Sequence, residues 1–242
     1  MALIKFVVAT DNHGHLVDEV ASRKLVEFCA DYKPRHRIHL GDLWDAAPIR
    51  KSASDSERME GLQADWVAGL EFLDNYRPNI LTLGNHDARY WDLMASPNGV
   101  LREKGEQLVA AATEEFKRRK ITWVPYHASK FLRMPEGGPA FIHGFKTGPS
   151  AVKNMHAVYG ACMFGHTHTY AEHSTENING GGSVNVPAMA DFSKMSYADR
   201  SAGRNQWRNG WTMGTLNEKT GSFKTWTILR DGDDWLSPLG KL

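Results

Sequence analysis

The chain has 242 residues, 41% hydrophobic and 24% charged, with a formal net charge of +1. This is the usage of a soluble globular protein long enough to bury a full core, and no global charge points to a polyanion or an anionic membrane. Two cysteines, Cys29 and Cys162, are too few for a disulfide framework and lack C-x-x-C spacing, so they read as reduced, buried thiols. No apolar run approaches the roughly 20 residues that a membrane-spanning helix needs. The expectation is a single cytoplasmic domain, 1–242.

Leu3 to Thr10 is a strand candidate rich in Ile, Phe and Val, with no leader cleavage signature. It ends in Asp11-Asn12-His13-Gly14-His15, where an acid and an imidazole two apart can turn toward one point. Apolar residues at Val17, Val20, Leu25 and Phe28 predict a helix from Val17 to Tyr32, stopped by Pro34. A short strand, Arg37 to Leu40, ends in Gly41-Asp42-Leu43-Trp44-Asp45. Residues 46–56 read as loop, and Glu57 to Tyr76 as a helix closed by Pro78. The apolar run Ile80 to Leu83 then ends in Gly84-Asn85-His86-Asp87. This β-loop-α-β order is the pattern of a parallel sheet, whose strand ends share one edge.

Residues 88–119 are less regular, with a turn at Pro97-Asn98-Gly99 and a charged helix from Glu103 to Lys120. Lys117-Arg118-Arg119-Lys120 reads as a solvated helix end. Strands are expected at Ile121 to Val124 and Phe131 to Met134. Ala140-Phe141-Ile142-His143-Gly144 repeats the device of an apolar run ending in a ligand-type residue. Ala161 to His168 repeats it again, and in extended chain His166 and His168 share a face. Gly180-Gly181-Gly182 reads as a joint or a close-approach site. Ser183 to Val186 is a strand, and Trp211 to Leu216 and Ser222 to Leu229 flank a hairpin at 217–221.

The strand-end residues are Asp11, His13, Asp42, Asn85, His86, His143, His166 and His168. Seven of these are good nitrogen or oxygen donors for a borderline divalent metal. Seven is too many for one tetrahedral site but suits two metals about 3.5–4 Å apart that share a carboxylate. Asp42, after a central strand, is the expected bridge.

These motifs resemble the calcineurin-like metallophosphoesterases, whose pattern is D-x-H, G-D-x-x-D, G-N-H-[DE], a His, then G-H-x-H. The likeness covers Asp11 to His168. It implies a four-layer αββα sandwich, two mixed β-sheets flanked by helices, with the metals at one edge. It places one metal on Asp11, His13, Asp42 and His168 and the other on Asp42, Asn85, His143 and His166. It leaves His86 to protonate the leaving oxygen and Asp45 to orient His86. It implies phosphodiester hydrolysis by a metal-bridging hydroxide, with two divalent ions: Mn first, with Fe, Zn, Co or Ni as alternatives.

The expected substrate is a phosphodiester, with nucleic acid or a nucleotide as the leading version. Arg89 and His15 are the candidate substrate contacts. A nucleotidase-like phosphomonoesterase and a non-catalytic metal-binding scaffold are the alternatives. The protein phosphatases' G-D-x-x-D-R-G is absent, because Ala46 and Ala47 follow Asp45. Arg200, Arg204 and Arg208 interleave with Trp207 and Trp211, the one stretch resembling a nucleic-acid contact. Trp44 is expected to pack over the site, His36 and His39 to be structural, and His127, His156 and His173, which match no motif, to be ordinary surface or core histidines. No membrane or protein partner is expected.

Overall fold

The computed structural model describes residues 3–51, 53–174, 182–196 and 204–240. In chain order its strands and α-helices are β1 (Leu3–Ala9), α1 (Glu19–Tyr32), β2 (His36–His39), α2 (Asp55–Met59), α3 (Gln63–Tyr76), β3 (Ile80–Thr82), α4 (Ala88–Leu93), α5 (Gly99–Arg118), β4 (Thr122–Val124), β5 (Leu132–Arg133), β6 (Ala140–Phe141), α6 (Ala151–Tyr159), β7 (Cys162–Phe164), β8 (Ala171–His173), β9 (Ser183–Asn185), β10 (Gly210–Asn217), β11 (Phe223–Asp231) and β12 (Asp234–Leu236).

Alternate residues of β1 face two different cores. Phe6 and Val8 meet Phe141, Met163 and Val184 of a second sheet, whereas Val7 and Ala9 meet Leu25, Phe72 and Phe116 of the helices. The period of two along a strand therefore builds the layers. The first sheet runs β12-β11-β10-β1-β2-β3-β4, parallel from β1 to β4 and antiparallel from β1 through β10 to β12. The second runs β5-β6-β7-β9-β8, parallel within and antiparallel at both edges. A third core, Ile142, Met155, Cys162 and Phe164, seats α6 on its outer face. Two mixed sheets flanked by helices make the expected αββα sandwich.

Tyr76 ties a helix to the sheet. It is fully buried, and its hydroxyl donates to the carbonyls of Val7 (3.0 Å) and Ile38 (3.1 Å), one on each of β1 and β2. Tyr76→Phe is expected to cost about 1–3 kcal/mol. The check is a lower denaturation midpoint at unchanged slope.

Several boundaries differ from the sequence expectation, each for a local reason. The helix expected over Glu57 to Tyr76 is two. Ser54 and Glu57 form a capping box that starts α2 early, and Glu60 is extended, so α3 begins afresh at Gln63. Asp18 accepts the Ala21 amide and so starts α1 at Glu19. Asn98 caps α5 at Gly99, four residues before the expected start. Helices α4 and α6 and strands β8 and β12 were not expected, being too short to show a period. In the basic run, Lys117 and Arg118 pair with Glu114 and Glu115, and Arg119 is largely buried on Asp74 and Glu115. Gly180, Gly181 and Arg200 lie outside the described residues.

Glu57 joins two segments. It accepts from the Ser54 amide (2.7 Å), from Arg50 (2.5 Å) and from the Ser196 hydroxyl (2.6 Å). Burial pushes its carboxyl up, but the bonds from Ser196 and Ser54 and the Arg50 charge outweigh this and hold it at about 2 against an ordinary 4.5. A depressed acid stabilises fully above its unfolded pKa and loses that effect as pH falls through the folded one. The stability gap between wild type and Glu57→Gln is therefore expected to be largest above about pH 4.5 and to shrink toward pH 2. Urea midpoints measured across that range check this.

Candidate metal centre

Backbone bonds zip together the loops that follow β1 and β2. Asp11 N–H donates to Gly41 O (3.0 Å), His13 N–H to Asp42 O (3.0 Å) and Gly14 N–H to Leu43 O (2.8 Å). The loop after β3 presses equally close. A Cβ on Gly84 would run into the backbone nitrogen and Oδ1 of Asp42, and one on Gly165 into Thr10 Oγ1 and Asp11 Oδ2. The glycines before Asn85 and His166 are thus there for close approach.

Backbone strain gathers on the same residues. Asp11, His13, Asp42, His166 and His168 all have φ between 51° and 73°. Non-glycine residues rarely enter this left-handed region, at a cost of order 1–3 kcal/mol each, and they do so mostly at functional sites.

The side chains converge. Asp11, His13 and His168 form one group, Asp42, His143 and His166 a second, and His13, Asp45 and His86 a third, with donor atoms in each within 4.8 Å of one another. Asp42 sits between them. Its Oδ2 lies 3.3 Å from His143 Nε2 and 3.9 Å from both His13 Nε2 and His86 Nε2. Asn85 Oδ1 lies 3.0 Å from His143 Nε2. The other oxygens are tied back to backbone: Asp42 Oδ1 accepts the His86 amide (2.8 Å) and Asp11 Oδ2 the His166 amide (3.0 Å). All seven expected donors are therefore in one place. Asp42, Asn85, His86, His166 and His168 open onto a cleft of about 820 Å³.

The electrostatics fit a pair of cations. Burial pushes the carboxyls of Asp11, Asp42 and Asp45 up, yet the surrounding imidazoles outweigh it and hold all three well below the usual range. Burial pushes His143 down, but the charge of Asp42 and the hydrogen bond to it raise it to about 9. Burial, with help from the charge of His143, lowers His166 to about 4. Three buried carboxylates need positive charge beside them. His13 Nε2 and His168 Nε2 face each other at 3.1 Å, with Asp11 Oδ1 3.4 Å from the latter. Two ring nitrogens aimed at one point beside a carboxylate suit a shared cation, and the mixed N/O set suits a borderline metal.

His86 stands beside these donors, tied to Asp45. Its Nδ1 lies 2.9 Å from Asp45 Oδ1 and 3.0 Å from the Asp45 carbonyl. The same Oδ1 is 3.0 Å from His13 Nδ1. Asp45 so orients both rings.

Neither expected substrate contact lines this cleft. Arg89 does not line the cleft; its guanidinium donates to the Asp45 carbonyl (2.5 Å). His15 lies 3.5 Å from Asp65 and lines a separate cavity of about 550 Å³ beside α1 and α3. In each case a nearby polar group engages the side chain. Trp44 is buried and stacks flat on Trp66 at 4.8 Å. His36 bonds Asn79, His39 accepts the Gly41 amide, His127 pairs with Ser129, and His156 meets Ser183 and the ring of His173. Of the basic-aromatic stretch, Trp211 is core, while Trp207 and Arg208 line the cleft and Trp207 stands edge-on to His168 at 4.8 Å.

The motif reading passed over two acids. Asp87 is buried and accepts the amides of Gly84 (2.8 Å) and Trp44 (3.0 Å), locking two loops together, and burial raises it to about 7. It stood inside Gly-Asn-His-Asp, so its motif position was a signal. Asp65, on α3, accepts the amides of Asp45 and Ala46. An acid inside a helix gives no such signal.

No family model matches the chain, and no curated protein matches it. Solved structures similar to it include a predicted phosphoesterase of Streptococcus pneumoniae, at 13% identity over 98% of this chain and 91% of that one, TM-score 0.38. A phosphatase of Mycoplasma pneumoniae is similar at 13% identity over 96% of both chains, TM-score 0.43. Vps29 of Chaetomium thermophilum is similar at 10% identity over 94% of this chain and 95% of that one, TM-score 0.38.

Proposed function

We propose that this chain is a calcineurin-like metallophosphoesterase that hydrolyses phosphodiester bonds with two divalent cations. The observation that supports it most is the convergence of the seven donors around Asp42, with His86 held beside them by Asp45. Asp11, His13, Asp42 and His168 would hold one cation, and Asp42, Asn85, His143 and His166 the other. When bound, such a pair neutralises the phosphate and lowers the pKa of a water to about 7. The protein's own groups supply the rest. Asp45 accepts from Nδ1 of His13, which frees its Nε2 for a ligand role, and from Nδ1 of His86, which leaves Nε2 to carry a proton into the cleft. His86 lines the cleft beside the donor cluster, so it would be the acid that protonates the leaving oxygen.

The diester reading draws support from the lining of the cleft. Its lining includes Val152, Trp207 and Arg208 besides the donors, which would leave room for two substituents on phosphorus. A nucleotidyl substituent suits an aromatic ring beside a cation. Among the described residues, the Arg208 guanidinium donates to the carbonyls of Asn205 and Trp207. On this reading Arg208→Gln weakens oligonucleotide binding and reduces the slope of log affinity against log salt by about one. A filter-binding titration at several salt concentrations reads that slope.

The function itself is tested with metal-stripped protein reloaded with Mn, on matched aryl phosphodiesters and monoesters. Faster diester turnover supports the proposal. Faster monoester turnover moves the assignment to a nucleotidase-like phosphomonoesterase. Binding of two metals with no turnover of either ester or of nucleic acid points to a scaffold.

A further inference from the structure

We infer that Asp65 is a positioning residue for the proposed site, acting through the main chain of Asp45; this rests on the phosphoesterase reading. Asp65 lies in the first turn of α3, well away from the motifs in sequence, and is 2% exposed. Its Oδ1 accepts the Asp45 amide (3.0 Å) and its Oδ2 the Ala46 amide (2.9 Å), with Tyr90 Oη 3.4 Å from Oδ2. Ala46 has φ 49°, a conformation that alanine avoids. Two successive amides aimed at one buried carboxylate hold that turn in place. The turn in turn aims Asp45 Oδ1 at both His13 Nδ1 and His86 Nδ1.

The fit around Asp65 is close. A Cβ on Gly14, in the loop that carries His13, would collide with Asp65 Oδ1. Asp65 is thus wedged between the two loops whose relative placement sets the Asp45–His13 bond. Arg89 holds the Asp45 carbonyl from the other side. Asp45 is clamped at its amide, its carbonyl and its carboxylate, and Asp65 supplies the amide clamp. Partners of this kind typically contribute about 10–100-fold in activity or metal affinity. A general acid displaced by about 1 Å loses on the order of 10²-fold.

The test uses Asp65→Asn, which keeps the shape and removes the charge, with Asp65→Ala as a second variant. Each is assayed at saturating Mn on two aryl diesters that differ in leaving group, 4-nitrophenyl and phenyl. The expected result is a kcat loss of about 10–100-fold on the phenyl ester and a much smaller loss on the 4-nitrophenyl ester, with KM unchanged. A second readout is independent of turnover. In metal-free protein, proton NMR should show slowly exchanging, downfield Nδ1–H resonances for His13 and His86, assigned with Asp45→Asn, and these should broaden or vanish in Asp65→Asn. An equal loss on both esters with both resonances intact would mark Asp65 as structural only and overturn the inference. So would a folded Asp65→Asn with wild-type kinetics. A wild-type protein inactive on both esters would sink the phosphoesterase reading instead, and the resonances would still decide whether Asp65 positions the two rings.

Discussion

Asp42→Asn should reduce turnover of an aryl phosphodiester by at least about 10²–10³-fold, the scale for losing one preorganised electrostatic group. The substitution is nearly isosteric, and an amide oxygen can still accept the His86 amide that Asp42 Oδ1 accepts at 2.8 Å. What disappears is a negative charge from the centre of the cluster. Asp42 Oδ2 is the carboxylate oxygen beside His143 Nε2, at 3.3 Å, and it also faces His13 and His86. Among the described residues, Asp42 is the carboxylate with one oxygen within 4 Å of ring nitrogens of both His13 and His143. Metal content should fall below two per chain at concentrations that saturate the wild type. The measurement is kcat together with metal per chain by mass spectrometry, with circular dichroism as the fold control. Wild-type turnover, or two metals held with undiminished affinity, would remove Asp42 from the role proposed for it.

The motifs were legible because close-packed loops leave a simple sequence record. Gly84 and Gly165 are glycine for want of space beside Asp42 and Asp11, and each stands immediately before a donor. An apolar run, a glycine and a ligand-type residue is therefore the linear trace of a strand end that touches another loop. The layers were expected from the family resemblance, and in the structure alternate residues of β1 separate the two cores. What could not be read was contact between distant residues. His15 is next to the motif in sequence, yet Asp65, fifty positions on, draws it onto a different cavity. Arg89 follows the motif on α4, but the helix carries its guanidinium back to the Asp45 carbonyl. The same contacts hid Asp65 itself, whose partners are backbone amides. Nor does the sequence record the left-handed angles of Asp11, His13, Asp42, His166 and His168, because none of these residues is the glycine that such angles favour. The packing of the loops forces those angles.

His86→Asn separates two roles that one imidazole could have in this cluster. If His86 were a metal ligand, its loss would lower metal content. If it is the acid, metal content should stay at the wild-type level while the rate falls according to the leaving group. The geometry favours the acid. His86 Nδ1 is engaged by Asp45, and among the described residues His86 clusters with His13 and Asp45, not with the Asp11–His168 or Asp42–His143–His166 donors. The bond from its amide to Asp42 belongs to the backbone and survives the substitution. A general acid contributes about 10²–10⁴-fold when the departing oxygen needs a proton. Phenolate departs as a stronger base than 4-nitrophenolate, so the expected loss lies in that range for the phenyl diester and is much smaller for the 4-nitrophenyl one. KM should change little, because a proton delivered in the transition state does not bind the ground state. A leaving-group series in wild type and variant, with metal per chain measured on the same samples, decides the matter. Parallel losses across the series with reduced metal would make His86 a ligand, and Asp45 would then be orienting two ligands through one oxygen.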